Sequence, residues 1–491
     1  MEPTATTQSH ILALPTEILC LVFWLACCPT RSPLEHAAEN LSAYMEVQIS
    51  HVCRHWRSSS LNYSRLWATI AYDRNHVKIS NGQVLSHLKT YLRRAGGHLL
   101  DSRFALLEFY PRHIAQSMLE LLLENSSTWH RIFLYAPIDL CLSEFLTRLQ
   151  EIHAPHLASY EVKFFDRGHG GGPPGPEQSN PTFSLLGTPK LTHLSFQTMT
   201  FMSSIPCSPY ITTIYIEGKD LKYTWTTLVT LLRLPCLRTL SIVWNVFLRP
   251  PRGIIERIVA PELVQFRCSD EIVAEHIWFF LQAPKLDVLV LNAGRIPYFS
   301  SLESLPLMLS LGDELETPTA PFPSLRTLVL LGCATNPFDS TGRVLRFLAH
   351  STRSIINLCI SNFLGHDSLR SIVKIDVEGV RMWPNLELLA VDVSPVYGLY
   401  LAPHLKSFIA HRSGALPRVF KLALPDSAAA AWRDEDAISW SAFVERGYYH
   451  QTLPAQVISD ISHSFNPDGL FDESIDHFEA VSVAERWIYL S

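Results

Sequence analysis

His153-Ala154-Pro155-His156 places two imidazoles at a spacing that could hold a metal, but the proline between them disrupts the shared helical face such a pair needs. Gly168-His169-Gly170-Gly171-Gly172-Pro173-Pro174-Gly175-Pro176 has the glycine content of a phosphate-cradling loop. It lacks the Gly-Lys-Ser/Thr ending and carries too many prolines to start a helix, so it reads as a flexible insertion. No G-x-S-x-G or H-E-x-x-H occurs, and 46 carboxylates guarantee chance pairs that spacing alone cannot sort. Sequons begin at Asn40, Asn62 and Asn125 and matter only in a secreted chain. The pattern assigns no catalytic residue, no cofactor and no metal ligand. It points to a protein that binds rather than one that catalyses.

Composition narrows the partners. The 491 residues exceed one compact core, so two to four folding units or an elongated array are expected. With 40 basic against 46 acidic side chains the net charge is −6, and no global basic surface advertises nucleic acid or anionic lipid. Residues 426–491 hold 12 Asp/Glu and 3 Lys/Arg, yet also Trp432, Trp440, Phe443, Tyr448, Tyr449, Phe465, Phe471, Phe478 and Trp487. So aromatic a segment is expected to dock as a cap rather than float. The ten cysteines show no C-x-x-C and mostly sit in apolar runs such as Leu358-Cys359-Ile360, which predicts reduced, buried thiols in an intracellular protein, cytoplasmic or nuclear. Ile18 to Cys28 is uncharged, but it is too short to span a bilayer and has no Lys or Arg before Arg31. It reads as a buried helix, and no membrane partner is expected.

The elements around that run can be placed. Leu14-Pro15-Thr16-Glu17-Ile18 opens a helix, with proline suited to a first turn. Leu14, Ile18, Leu21, Val22 and Leu25 then share a stripe. After a polar stretch, 29–40, a second helix is predicted from about Leu41 to Ser59, with Ile49, Val52, Cys53 and Trp56 on one face. Tyr63 to Trp67 closes the unit and Ala68 to Tyr72 reads as a strand. Three short helices bury too little surface to be stable alone. Their large apolar side chains therefore face either a partner or the domain that follows.

Leu14-Pro15-x-Glu17-Ile18-Leu19-x-x-Val22-Phe23, Val52-Cys53-Arg54-x-Trp56-Arg57 and Leu66-Trp67 together resemble the F-box of many fungal proteins, over residues 11–72. The resemblance implies binding to the Skp adaptor of SCF (cullin–RING) ubiquitin ligases. The matching adaptor-binding positions are Leu14, Pro15, Ile18, Val22, Val52, Cys53, Trp56, Leu66 and Trp67. The 29–40 insertion departs from the compact family pattern.

Residues 73–126 read as a structured connector. It has a helix through Val84, Leu85, Leu88, Tyr91 and Leu92 stopped by Gly96-Gly97, a strand from Ser102 to Phe109, and a helix through Ile114, Met118, Leu121 and Leu122. From residue 127 to 425 a pattern recurs: a proline or small residue followed at +2, +5 and +7 by apolar side chains. Eleven copies start at Ser127, Pro155, Pro189, Pro209, Pro235, Pro261, Pro284, Pro323, Arg353, Pro384 and Pro403, with a mean step of about 28 residues. This resembles a degenerate leucine-rich repeat, in which each unit gives one strand and a return helix or loop. The alternative is an ordinary α/β domain with proline-initiated strands. The predicted fold is thus α/β, a small N-terminal helical F-box followed by an irregular leucine-rich-repeat-like α/β solenoid. Residues at +4, +6 and +8 should face outward, away from the shared core, and could grip a target protein: Tyr135, Glu161, Lys163, His193, Gln197, Tyr215, Glu217, Arg267, Asn292, Asp392 and His411. The expected role is a non-enzymatic substrate-recognition subunit, with an F-box-bearing scaffold outside any ligase as the alternative.

Overall fold

The computed structural model describes residues 14–27, 45–72, 81–105, 110–137, 152–165, 187–197, 208–217, 222–223, 225–243, 246–247, 257–268, 273, 277–278, 280–292, 321–331, 351–363, 383–393, 421–424, 426–445 and 449–450. The chain is a mixed α/β protein that divides into two compact units, residues 1–211 and 212–491.

Unit 1 opens with helices α1 (Thr16–Cys27), α2 (Met45–Val52) and α3 (Arg54–Asn62) and a 3-10 turn, Ser64–Trp67. Strand β1 (Thr69–Tyr72), α4 (Asn81–Ala95), β2 (Leu100–Ala105), α5 (Arg112–Glu124), β3 (Trp129–Pro137), β4 (Ser159–Phe165) and β5 (His193–Gln197) follow. The five strands pair in chain order, all parallel. Residues 73–126 thus supply the second rung of the ladder as well as two helices, so the repeat begins earlier than its sequence pattern. Gly96 and Gly97 end α4 at φ of 59° and 83°, a conformation other residues resist.

Unit 2 contains β6 (Thr213–Glu217), β7 (Lys222–Tyr223), α6 (Trp225–Leu232), β8 (Thr239–Val243), β9 (Val246–Phe247), β10 (Ile258–Val259), β11 (Gln265–Cys268), β12 (Leu281–Gln282), β13 (Val288–Asn292), β14 (Thr327–Leu331), β15 (Asn357–Phe363), β16 (Leu388–Val393), β17 (Lys421–Ala423), α7 (Asp426–Glu435), α8 (Ala437–Glu445) and β18 (Tyr449–His450). Its ladder runs β6-β8-β11-β13-β14-β15-β16-β17-β18, again parallel and in chain order; β7 pairs with β9 and β10 with β12.

The recurring prolines have a structural reason. The strands that follow these prolines are entered through a four-residue turn in which the +2 residue donates its N–H to the carbonyl just before the proline. Examples are Leu157 to Ala154 (3.1 Å), Leu191 to Thr188 (3.2 Å), Leu286 to Ala283 (3.1 Å) and Leu386 to Trp383 (3.1 Å). Proline stands at the second position of these turns, where its fixed φ is wanted and its missing N–H is not needed. The +5 and +7 residues then lie in continuous rows across neighbouring strands. In unit 1 these are Ile132–Tyr160–Leu194 and Leu134–Val162–Phe196. In unit 2, Leu289–Leu328–Leu358–Leu389 sits beside Leu291–Leu330–Ile360–Val391. All of these side chains are buried, so each rung seals its neighbour's apolar face. The copy starting at Pro403 and the stretch from Gly342 to His350 lie outside the described residues.

The opposite face corrects an expectation. The +6 row is covered, not solvated: Glu161 and Arg267 are each 8% exposed, and Ser195 and Ser241 are buried. Further along, the row becomes apolar, and Val290, Val329, Cys359, Ala390 and Ala423 form one buried cluster with Val288 and Leu388 packed against it. Strands buried on both faces read as near-continuous apolar runs, which hides the alternation that would mark an open face. In the aromatic C-terminal region Trp432 and Trp440 are buried against each other, their ring centroids 5.4 Å apart. The aromatic residues from Phe465 to Trp487 lie outside the described residues.

Candidate functional site

The N-terminal helices of unit 1 are anchored on one side and open on the other. Trp67 anchors them: fully buried, it donates its indole N–H to the Ser60 carbonyl of α3 (2.8 Å). Its ring meets Tyr91 of α4 edge-on at 5.2 Å, and the Arg94 guanidinium lies over it at 4.3 Å. The Tyr91 hydroxyl donates to Glu46 of α2, and Tyr72 of β1 shares a 2.7 Å hydrogen bond with His87 of α4. The hairpin is therefore pinned to α4 and the first rung of its own unit.

The second predicted helix is broken in two. Cys53 adopts extended backbone (φ −157°, ψ 171°), and its Sγ accepts the Trp56 N–H at 3.4 Å, so it caps α3. The predicted common face is split by this break. Ile49 is buried and the Trp56 ring packs on Phe23 of α1 at 4.9 Å, while Val52 turns out to solvent.

Helix α1 also differs from the fully buried helix that its apolar run predicts. Leu19, Cys20 and Phe23 face inward. Burial, with Glu17 adding to it, pushes the Cys20 thiol above its ordinary range. Ile18, Leu21, Val22 and Leu25, at three- and four-residue spacing, remain about half exposed, and Val52 is 60% exposed. Pro15 is exposed beside them and Leu14 is half-buried. Four large aliphatic side chains left open along one face of α1 form a patch that single scattered exposures do not, and Val52 on α2 is open as well.

Of the nine residues matched to the adaptor motif, Pro15, Ile18, Val22 and Val52 are open, and Leu14, Cys53 and Trp56 are half-buried. Leu66 and Trp67 are sealed inside the unit, so the docking role expected of them is corrected: they hold the hairpin to the ladder. Leu21 and Leu25 belong to the open face but fall outside the motif; their helical spacing with Ile18 was the available signal.

The target-facing residues are not gathered into one open site. Tyr135, His193 and Tyr215 are half-buried, and Glu161 and Arg267 are covered. Lys163, Gln197, Glu217, Asn292 and Asp392 lie on or at the end of strands, with side chains outside the described residues, as is the whole of His411. Among the described residues no three His, Cys, Asp or Glu side chains converge as metal ligands, and no helix is long and apolar enough to cross a membrane. His156 faces the ammonium of Lys190 at 3.3 Å rather than His153. Comparison with known proteins adds nothing to this geometry: no family model and no curated protein matches the sequence.

Proposed function

We propose that this chain is the substrate-recognition subunit of an SCF-type (cullin–RING) ubiquitin ligase, with the F-box-like hairpin docking on the Skp adaptor. A leucine-rich-repeat-like array would hold the target protein. The observation that carries the reading is the open stripe Ile18–Leu21–Val22–Leu25 with Val52, on a hairpin whose other side is fully committed to its own unit. A stripe of this kind is costly to leave in water and is the natural seat for a partner helix or groove. The in-register rows of the ladder support the repeat reading.

In this role the protein performs no chemistry of its own. It raises the effective concentration of target near the ubiquitin-carrying subunit and fixes its orientation. Its work would lie in the cytoplasm or nucleus, where the adaptor is found in the family it resembles. The test is co-purification of the Skp adaptor with the full chain, compared with a chain lacking residues 1–72. Retention of adaptor after that deletion refutes the reading. Depletion of the protein should raise the level of at least one bound partner, and unchanged turnover of all of them would favour a scaffold outside the ligase.

A further inference from the structure

The +6 row of unit 2 is sealed on a side where the ladder supplies no cover of its own. Val290, Val329, Cys359, Ala390 and Ala423 stand side by side in register from β13 to β17, each 4% exposed or less. Among the described residues, the apolar side chains packed against them are Val288 and Leu388, from the same strands. In unit 1 the row is screened by a long neighbour, the Arg103 guanidinium lying 5.4 Å from the Phe133 ring. The five residues of unit 2 are too short to fold over one another in this way.

The crossovers between rungs belong to the other side. In a parallel ladder running in chain order, right-handed crossovers all pass over one face. That face carries the +5 and +7 rows: in unit 1, Leu119 and Leu122 of α5 line a small cavity with Ile132, Leu134 and Tyr160. In unit 2 the buried residues described on the crossovers, such as Leu228 and Leu231 of α6 and Phe280, do not join the cluster of the +6 row. Unit 2 begins one residue before β6, so beyond its rungs and crossovers it holds only the chain that follows β18.

We propose that this following segment, residues 451–491, docks across the +6 row of its own chain and is the row's cover. Ala423 pairs with His450 of β18, so the segment leaves the ladder at the end of the row. From there to Val290 is five strand steps, about 24 Å, which about eight extended residues span. Phe465, Phe471, Phe478 and Trp487 supply the bulk that a floor of Val, Cys and Ala leaves room for. Seven carboxylates against one arginine in the segment suit the far end of the row, where Arg267 stands beside Val290. The docking stands apart from the ligase reading; under that reading the segment shields a face that a target would otherwise use.

Two buried thiols report the two faces separately: Cys359 lies in the +6 row and Cys268 in the +7 row of β11. The test follows their alkylation by mass spectrometry in the native full chain, where both should react slowly. The full-length variant F465D/F471D/F478D should raise the Cys359 rate about tenfold or more, with Cys268 within about twofold of wild type. A chain ending at His450 should do the same. Cys359 as protected in both variants as in the wild type would overturn the inference and leave the ligase reading intact. Should the shortened chain expose Cys268 as well, the full-length variant alone decides. Two other results would also overturn it. Rapid alkylation of Cys359 in the wild type would leave the face open for a target, and protection lost on dilution would assign the cover to a second copy.

Discussion

Ile18→Asp places a carboxylate in the open stripe and separates docking from folding. Ile18 is 47% exposed, and Leu25 is 56% exposed. Complete burial of an aliphatic side chain of this size contributes about 1.5–3 kcal/mol, so covering the five half-open ones would supply on the order of 4–7 kcal/mol gross toward association. The substitution removes one share of that and leaves a carboxylate unpaired in a desolvated contact, a penalty of at least about 2 kcal/mol. Together the two losses exceed about 3 kcal/mol, or more than about a hundredfold in affinity. The folded state should suffer far less. Position 18 lies in the first turn of α1, where a negative charge gains about 0.3–1 kcal/mol from the helix macrodipole, partly offsetting the lost packing of its inner half. Isothermal titration of the full chain with the Skp adaptor, alongside calorimetric melting, reads both quantities. Adaptor affinity within about threefold of wild type, at an unchanged melting temperature, would refute the argument that this stripe is the docking face.

Three further outcomes follow from the ladder. Val329→Asp should destabilise unit 2 by on the order of 3 kcal/mol, because the +6 row is buried between Val290 and Cys359; denaturant unfolding within about 0.5 kcal/mol of wild type would mean that the face is open after all. Thr352→Val removes the hydroxyl that accepts the Trp383 indole N–H at 2.8 Å, at a side chain fully buried and held at φ 50°; a loss of about 1–3 kcal/mol is expected, read as a lower melting temperature. Burial drives the fully buried Tyr160 phenol far above its ordinary range. Above pH about 10 the unfolded phenol loses its proton while the folded one keeps it, so stability falls as pH rises, by up to about 1.4 kcal/mol per unit from this group. Tyr160→Phe should flatten that alkaline slope in pH-dependent unfolding, and an unchanged slope would place the sensitivity elsewhere.

The repeat was legible because its period is enforced by two local devices visible in one sequence. A proline marks the entry turn, as at Pro155 and Pro284, and apolar residues at +5 and +7 mark the buried rows. Where the entry signal changes, the pattern is lost: β1 and β2 precede the first recognised copy, although Ile70, Phe104 and Tyr72 occupy the same rows. The burial of the +6 row was not legible, since Glu161 and Arg267 look like surface residues and burial depends on what lies across the sheet. The break at Cys53 was equally hidden. Ile49, Val52, Cys53 and Trp56 satisfy a helical face at every position, and only the backbone turn at Cys53 shows that one of them points away.

That break explains how one apolar motif serves two purposes. Had α2 and α3 run as a single helix, Val52 would share the inward face of Ile49 and Trp56, and the hairpin would close on itself. Ending α2 at Val52 and restarting at Arg54 leaves Ile49 buried and Trp56 packed on Phe23, while Val52 stays exposed, as Ile18, Leu21, Val22 and Leu25 do on α1. Meanwhile Leu66 and Trp67, the most hydrophobic end of the motif, are withdrawn to anchor the unit on Ser60, Tyr91 and Arg94. A rigid anchor lowers the ordering cost that a marginal three-helix unit would otherwise meet on binding, so under the proposed docking the sealed tryptophan would assist without touching the partner. Trp67→Phe should therefore weaken adaptor binding only as far as it loosens the hairpin, with a matching fall in melting temperature, whereas Ile18→Asp should weaken binding alone.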